Sequence, residues 1–210
     1  MEMVNSGSNA AMRKLGQTYN YVFIGILLAM FGSWVAFPAS ASLIAGWFWG
    51  VVIAQFAILF AFMYYKRQEL FYLFTFITGV TLVPVLDRYI TAGAGFVVVQ
   101  AFTTTAIITG GLTMYALTTK KNFLGLGTLL FWILVGVVVI GIINIFIASS
   151  MLSMIMAVVT AILFSFFIIH DTQQVIHTDI TPLDAAMGMY LNILNMFMSI
   201  LQLFGLDPRD

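Results

Sequence analysis

Seven long apolar runs divide the chain, separated by short polar breaks. They cover Tyr19–Phe37, Ser42–Tyr65, Leu70–Leu86, Gly95–Leu117, Phe123–Phe146, Met151–Ile169 and Ala185–Leu206. A hydrocarbon core about 30 Å thick is crossed by roughly 20 helical residues rising about 1.5 Å each. The runs are 17 to 24 residues long and lack the alternation of apolar and polar positions that a barrel strand requires. Backbone groups in lipid must be satisfied within the segment, so each run predicts a spanning helix. The breaks hold Pro38, the charges of Lys66 to Glu69, Gly93, Lys120 to Asn122, Ser149 with Ser150, and Pro182. The third run is the shortest and is expected to end at Leu86, just after Pro84. Residues 1–18 then form a cytoplasmic tail in which Ser6, Gly7 and Ser8 suggest little structure. Residues 19–206 form one membrane domain, and residues 207–210 a short C-terminal tail.

Composition fits that reading. The 210 residues are 62% hydrophobic and only 8% charged, with mean hydropathy +1.06. A soluble domain carries about a quarter charged residues, so lipid is expected to be the solvent for most of this surface. Lys plus Arg and Asp plus Glu balance at 8 each, which leaves no basic field to hold nucleic acid. Cysteine is absent, which removes disulfides, thiolate chemistry and cysteine metal sites. The first run is too long for the apolar core of a signal peptide, and no cleavable leader is expected. Arg13, Lys14, Lys66, Arg67, Lys120 and Lys121 fall on one side of the seven-span threading, and Arg88 and Arg209 on the other. Short loops rich in Lys and Arg stay in the cytoplasm. The N-terminus is therefore expected inside and the C-terminus outside or in the periplasm. Trp34, Trp47, Trp49, Tyr64, Tyr65 and Tyr89 suit the membrane–water interfaces.

The seventh run carries the strongest polar signal. Asp184, Gly188, Asn192, Asn195, Ser199 and Gln202 fall within one helical arc of about 80°. Such a stripe avoids lipid and points into the bundle or a water-filled cavity. It either glues helices together, at about 0.6 kcal/mol per hydrogen bond, or lines a path; Asn195, Ser199, Gln202 and Asp184 are the candidate lining residues. At the end of the sixth run stands His170-Asp171-Thr172-Gln173. Asp171 is either a solvated charge at a helix end or a partly buried carboxylate. In the second case burial favours the protonated form and a nearby Lys66 or Arg67 favours the charged one, a competition that defines a proton sensor. His170 and His177 lack metal-site spacing and read as ordinary interface residues. Threonines 103, 104, 105, 109 and 113 of the fourth run are expected to bond back to their own helix. Gly46 and Gly50 form a GxxxG, a weak signal of close packing.

Several activities are excluded on residue grounds. All four lysines lie at span ends, so none can form a retinal Schiff base in mid-membrane. HExxH and GxS nucleophile motifs are missing, and too few carboxylates exist for a calcium cage of six to eight oxygens. No catalytic residue, metal site or cofactor is expected, and the protein is read as a non-enzyme and a monomer.

The segments Phe76-Ile77-Thr78-Gly79-Val80-Thr81-Leu82-Val83-Pro84, Tyr115 to Lys121, Asn144-Ile145-Phe146, Asp171-Thr172-Gln173 and Tyr190 to Phe197 occur in an order that resembles the Bax inhibitor-1 family. The similarity is greatest to its bacterial YccA-like branch and runs from about Phe74 to Asp210. The resemblance implies an all-α integral membrane protein in which six helices surround a central seventh, placed in a bacterial cytoplasmic (inner) membrane. It also implies a pH-sensitive calcium leak gated by two carboxylates near the cytoplasmic face. One falls on Asp171; the other falls on Asn192, where this chain departs from the pattern. Two close carboxylates share a proton, whereas an Asp–Asn pair does not. A second implication is association with the FtsH membrane protease, through the tail from Met1 to Gln17, without any transport.

Overall fold

The computed structural model describes residues 2–38 and 41–205. Seven α-helices follow one another: α1 Glu2–Ala36, α2 Ala41–Tyr65, α3 Gln68–Thr91, α4 Gly95–Thr118, α5 Gly127–Ile147, α6 Ser150–His177 and α7 Pro182–Gly205. A single 3₁₀ turn, Leu124–Leu126, precedes α5. Among the described residues there is no strand, and all seven helices are long and apolar enough to cross a membrane. The short tail at residues 207–210, Arg209 included, lies outside the described residues.

Three boundaries differ from expectation, each for a local reason. Helix α1 begins at Glu2, so the tail expected to lack structure is helical; Ala10, Ala11, Met12 and Leu15 are good helix formers that extend the span outward. Helix α3 runs through Pro84 to Thr91. In a spanning helix a proline removes one hydrogen bond without ending the segment. Helix α6 continues for two turns past Ile169, to His177. Asp171 therefore sits inside a helix rather than at its end.

The described residues of the helices fall into two compact units by their contacts, one of residues up to Gly95 with Thr181–Tyr190 and one of Phe96–Ile180 with the residues from Leu191 on.

In the first unit α3 packs on both α1 and α2. The buried positions of α1 are Leu15, Thr18, Val22, Gly25, Ala29 and Gly32, a spacing of three and four residues that keeps one seam facing a partner helix. Small residues in that seam bring the backbones together. A Cβ added at Gly79 of α3 would overlap the carbonyl of Ala29, and one at Gly32 would overlap that of Phe76. The Ser33 hydroxyl donates to the Gly79 carbonyl at 2.8 Å. Gly46 and Gly50, the GxxxG of the sequence, have open space around them. Gly32 and Gly79 are the glycines at which a Cβ would meet the backbone of another helix; they stand in different helices and so are invisible as a motif.

Helix α2 is joined to α3 by one amide. Gln55 Nε2 donates to Thr78 Oγ1 and Gln55 Oε1 accepts from Thr81 Oγ1, each at 3.0 Å. Two bonds in an apolar surround fix the rotation of α2. Gln55→Leu is expected to cost about 1 kcal/mol, the usual scale of interhelical bonds in membranes, measured by unfolding in mixed micelles. A loss near zero would show that packing alone sets this register.

In the second unit α5 packs on α6. Its far end is clasped by Asn144, whose Nδ2 donates to Ser153 Oγ at 2.7 Å and whose Oδ1 accepts from Ser149 N at 3.2 Å. The α4 hydroxyls of Thr103, Thr105 and Thr113 donate to carbonyls four residues back in their own helix. Helix α7 is divided between the units and is the most buried span, with 44% of its most apolar 18 residues inside the protein. Trp34, Trp47, Trp49, Tyr64 and Tyr65 are all exposed, as interface anchors must be.

Candidate functional site

The two turns added to α6 carry the site. Asp171 Oδ2 accepts a 2.7 Å hydrogen bond from Asn192 Nδ2 of α7. Its Oδ1 lies 2.9 Å from His170 Nδ1. Both α6 side chains are largely withdrawn, with 12% of His170 and 15% of Asp171 exposed, and Asn192 is buried. One carboxylate thus has a separate nitrogen partner on each oxygen. Charge-assisted bonds of this length are among the stronger polar contacts in proteins.

Two residues further along α6, Gln173 holds a loop. Its Oε1 accepts from Phe123 N at 2.7 Å and its Nε2 donates to the Lys121 carbonyl at 2.8 Å. The side chain is buried, and its two bonds replace the partners that an irregular backbone would otherwise lack. The connection from α4 to α5 is thereby fixed to the same end of α6 that carries Asp171.

Lys66 and Arg67, the expected counter-charges, have other carboxylates. Lys66 Nζ pairs with Asp184 Oδ1 at 2.5 Å, and Arg67 Nε with Glu69 Oε2 at 3.2 Å. Sequence alone could not pair Lys66 with a residue 118 positions away. Lys66 closes α2 in the left-handed region, at φ 52°, which turns the chain sharply into α3.

Asp184 is likewise not a free lining group. It accepts from the Thr181 hydroxyl at 2.9 Å, while its own N–H donates to that hydroxyl at 3.1 Å. This is an N-terminal cap with Pro182, at the start of α7, preorganised for the helix. The Lys66–Asp184 pair places the end of α2 and the start of α7 on one side, as alternate threading of seven spans requires. A cleft of about 350 Å³ opens beside it, lined by Gln17, Asn20, Tyr21, Thr181, Pro182 and Leu183, without Asp171 or Asn192.

The rest of the polar stripe is largely turned on its own helix. Asn195 Nδ2 donates to the Leu191 carbonyl and Ser199 Oγ to the Asn195 carbonyl. Gln202 Nε2 reaches the Ser153 carbonyl of α6 at 3.4 Å. Ser199 is buried and Asn195 half-buried. Among the described residues no three His, Cys, Asp or Glu gather as a metal site. His170 and Gln173 were the residues that sequence reasoning undervalued. Their signal was position alone, one turn apart on the helix face beside Asp171.

A polytopic α-helical membrane protein with a withdrawn carboxylate–amide pair between two of its spans is the class that this geometry defines. Relatives place it more closely. The family model described as "Inhibitor of apoptosis-promoting Bax1" matches residues 11–209, and the chain belongs to this Bax inhibitor-1 family. It is 34% identical over 212 residues to Cj0236c of Campylobacter jejuni, covering 96% of this chain and 92% of that one. A Helicobacter pylori protein is 37% identical over 200 residues, covering 92% and 86%. The inner membrane protein YbhL of Escherichia coli is 29% identical over 216 residues, covering 91% and 90%.

Proposed function

We propose that this protein is a pH-influenced cation leak of the bacterial cytoplasmic membrane, with calcium the first cation to test. The observation that carries the reading is the Asp171–Asn192 bond between α6 and α7. A carboxylate held between two spans is costly unless partnered, and such groups mark ion and proton routes. The amide oxygens of Asn192 and Asn195 are acceptors of the kind hard cations prefer, and Ser199 continues that face. The excess of basic residues at Arg13, Lys14, Lys66, Arg67, Lys120 and Lys121 puts the N-terminus and the Asp171 end in the cytoplasm.

Purified protein in liposomes is expected to pass calcium faster than protein-free vesicles, with Asp171→Asn altering the pH profile. Asn192→Asp rebuilds a pair of carboxylates that cannot both ionise at hydrogen-bond distance. It is expected to make flux steeper in pH than in the parent. A trace matching empty vesicles throughout the range of about pH 5 to 8, where physiological switches operate, would remove the transport reading.

A second reading rests on α1. Its 35 residues exceed the roughly 20 needed to cross lipid, so a helical arm with Arg13 and Lys14 extends beyond the membrane. Such an arm suits an interaction protein that engages a membrane protease such as FtsH. In that case deleting residues 1–17 abolishes co-purification with the protease and leaves flux unchanged.

A further inference from the structure

We propose that Gly127 is a positioning residue, whose missing side chain lets the His170 imidazole lie against the start of α5 with its Nδ1–H directed at Asp171. A Cβ built on Gly127 would stand 2.9 Å from His170 Nε2 and 3.5 Å from Cε1, closer than a carbon approaches without displacing the ring. The backbone does not ask for glycine here. Gly127 has φ −50° and ψ −46°, ordinary helical values at which alanine is favoured by about 1 kcal/mol. Gly136 and Gly141 of the same helix have nothing within 4 Å. What distinguishes Gly127 is the imidazole.

The same geometry selects a tautomer. A carboxylate in its ionised form only accepts hydrogen bonds, so with Asp171 in that form the nitrogen 2.9 Å from its Oδ1 carries the proton. The other nitrogen, Nε2, lies against the first residue of α5, and the opening turn of a helix presents backbone N–H groups without helical acceptors. A lone pair on Nε2 suits that surround and a second N–H does not. The α5 start is in turn registered to α6 by the bonds from Gln173 to Phe123 and Lys121, so it cannot slide aside to admit a side chain. With Nδ1–H on one oxygen and the Asn192 amide on the other, the carboxylate is held in a fixed plane.

The assignment deepens the reading of Asp171 as the gate and rests on it for any effect on flux, but its own test is spectroscopic. The chain has two histidines, so His177→Gln leaves a single imidazole for nitrogen NMR of the ¹⁵N-histidine-labelled full chain in lipid nanodiscs at neutral pH. The parent is expected to show the Nδ1–H form of His170. Gly127→Ala is expected to lose that signature in favour of Nε2–H, with helical circular dichroism and gel-filtration profile unchanged. An Nε2–H spectrum in the parent would overturn the proposal without recourse to any variant at Gly127. An unmoved His170 resonance in Gly127→Ala would overturn it equally, and would leave calcium flux as a separate matter. Vesicles without flux but with a shifted His170 resonance would support the positioning role while removing the transport reading.

Discussion

Gly79→Leu is expected to cost at least about 3 kcal/mol and to deplete folded protein, the largest effect of any single change considered. Overpacking in a well-filled interior typically costs about 1–3 kcal/mol, and the obstacle here is backbone rather than a movable side chain. A Cβ at Gly79 would meet the Ala29 carbonyl carbon at 2.7 Å and its Cα at 2.9 Å. The substitution must push α1 and α3 apart, and that also stretches the Ser33 bond to the Gly79 carbonyl. Gly46→Ala is the control, since open space surrounds it. An alanine there meets nothing and gains helix propensity, so stability is expected to stay level or rise by up to about 1 kcal/mol. Thermal or SDS unfolding of the two variants beside the parent decides the matter. Equal stability of Gly79→Leu and Gly46→Ala would mean that the α1–α3 seam is not closely packed.

Asn192→Leu is expected to be the next most damaging, at about 2 kcal/mol. It removes the donor on Asp171 Oδ2 and leaves that oxygen facing an apolar side chain. Hydrogen bonds to charged groups contribute about 1.5–3 kcal/mol, and an orphaned partner loses its hydration as well. Replacing both members by apolar groups of similar shape is far less harmful than replacing one. The double variant Asp171→Leu with Asn192→Leu should therefore lose less than the sum of the two single losses. Strict additivity in this cycle would show that the 2.7 Å contact does not stabilise the fold.

The seven spans were legible because lipid leaves few solutions: an uninterrupted apolar run of sufficient length has to be a helix. Their ends were less legible because the rules for ending a helix come from water. Pro84, Asp87 and Arg88 look like terminators, yet α3 passes through all three. His170, Asp171 and Gln173 look like a polar exit, yet each has a partner that keeps the helix going. Within the site, Asp171 and Asn192 were found by the polar arc of α7 and the family pattern. Lys66, one of two candidate counter-charges for Asp171, pairs with Asp184 instead, because charge and side of the membrane constrain a pair far less than three-dimensional packing does. Gly32, Gly79 and Gly127 were missed for a common reason. A glycine that makes room for a neighbour is recognised only once that neighbour is in place.

Helix α5 is the most apolar of the spans, and Leu130 is its one buried residue. Besides packing on α6, it is a strut pinned at its tips, by Asn144 at one end and by the imidazole contact and the Gln173-held loop at the other. Its 21 residues span about 31 Å, close to the thickness of a relaxed hydrocarbon layer. Thinning or thickening of the bilayer loads such a strut at its pins, and one of those pins is the ring that touches Asp171.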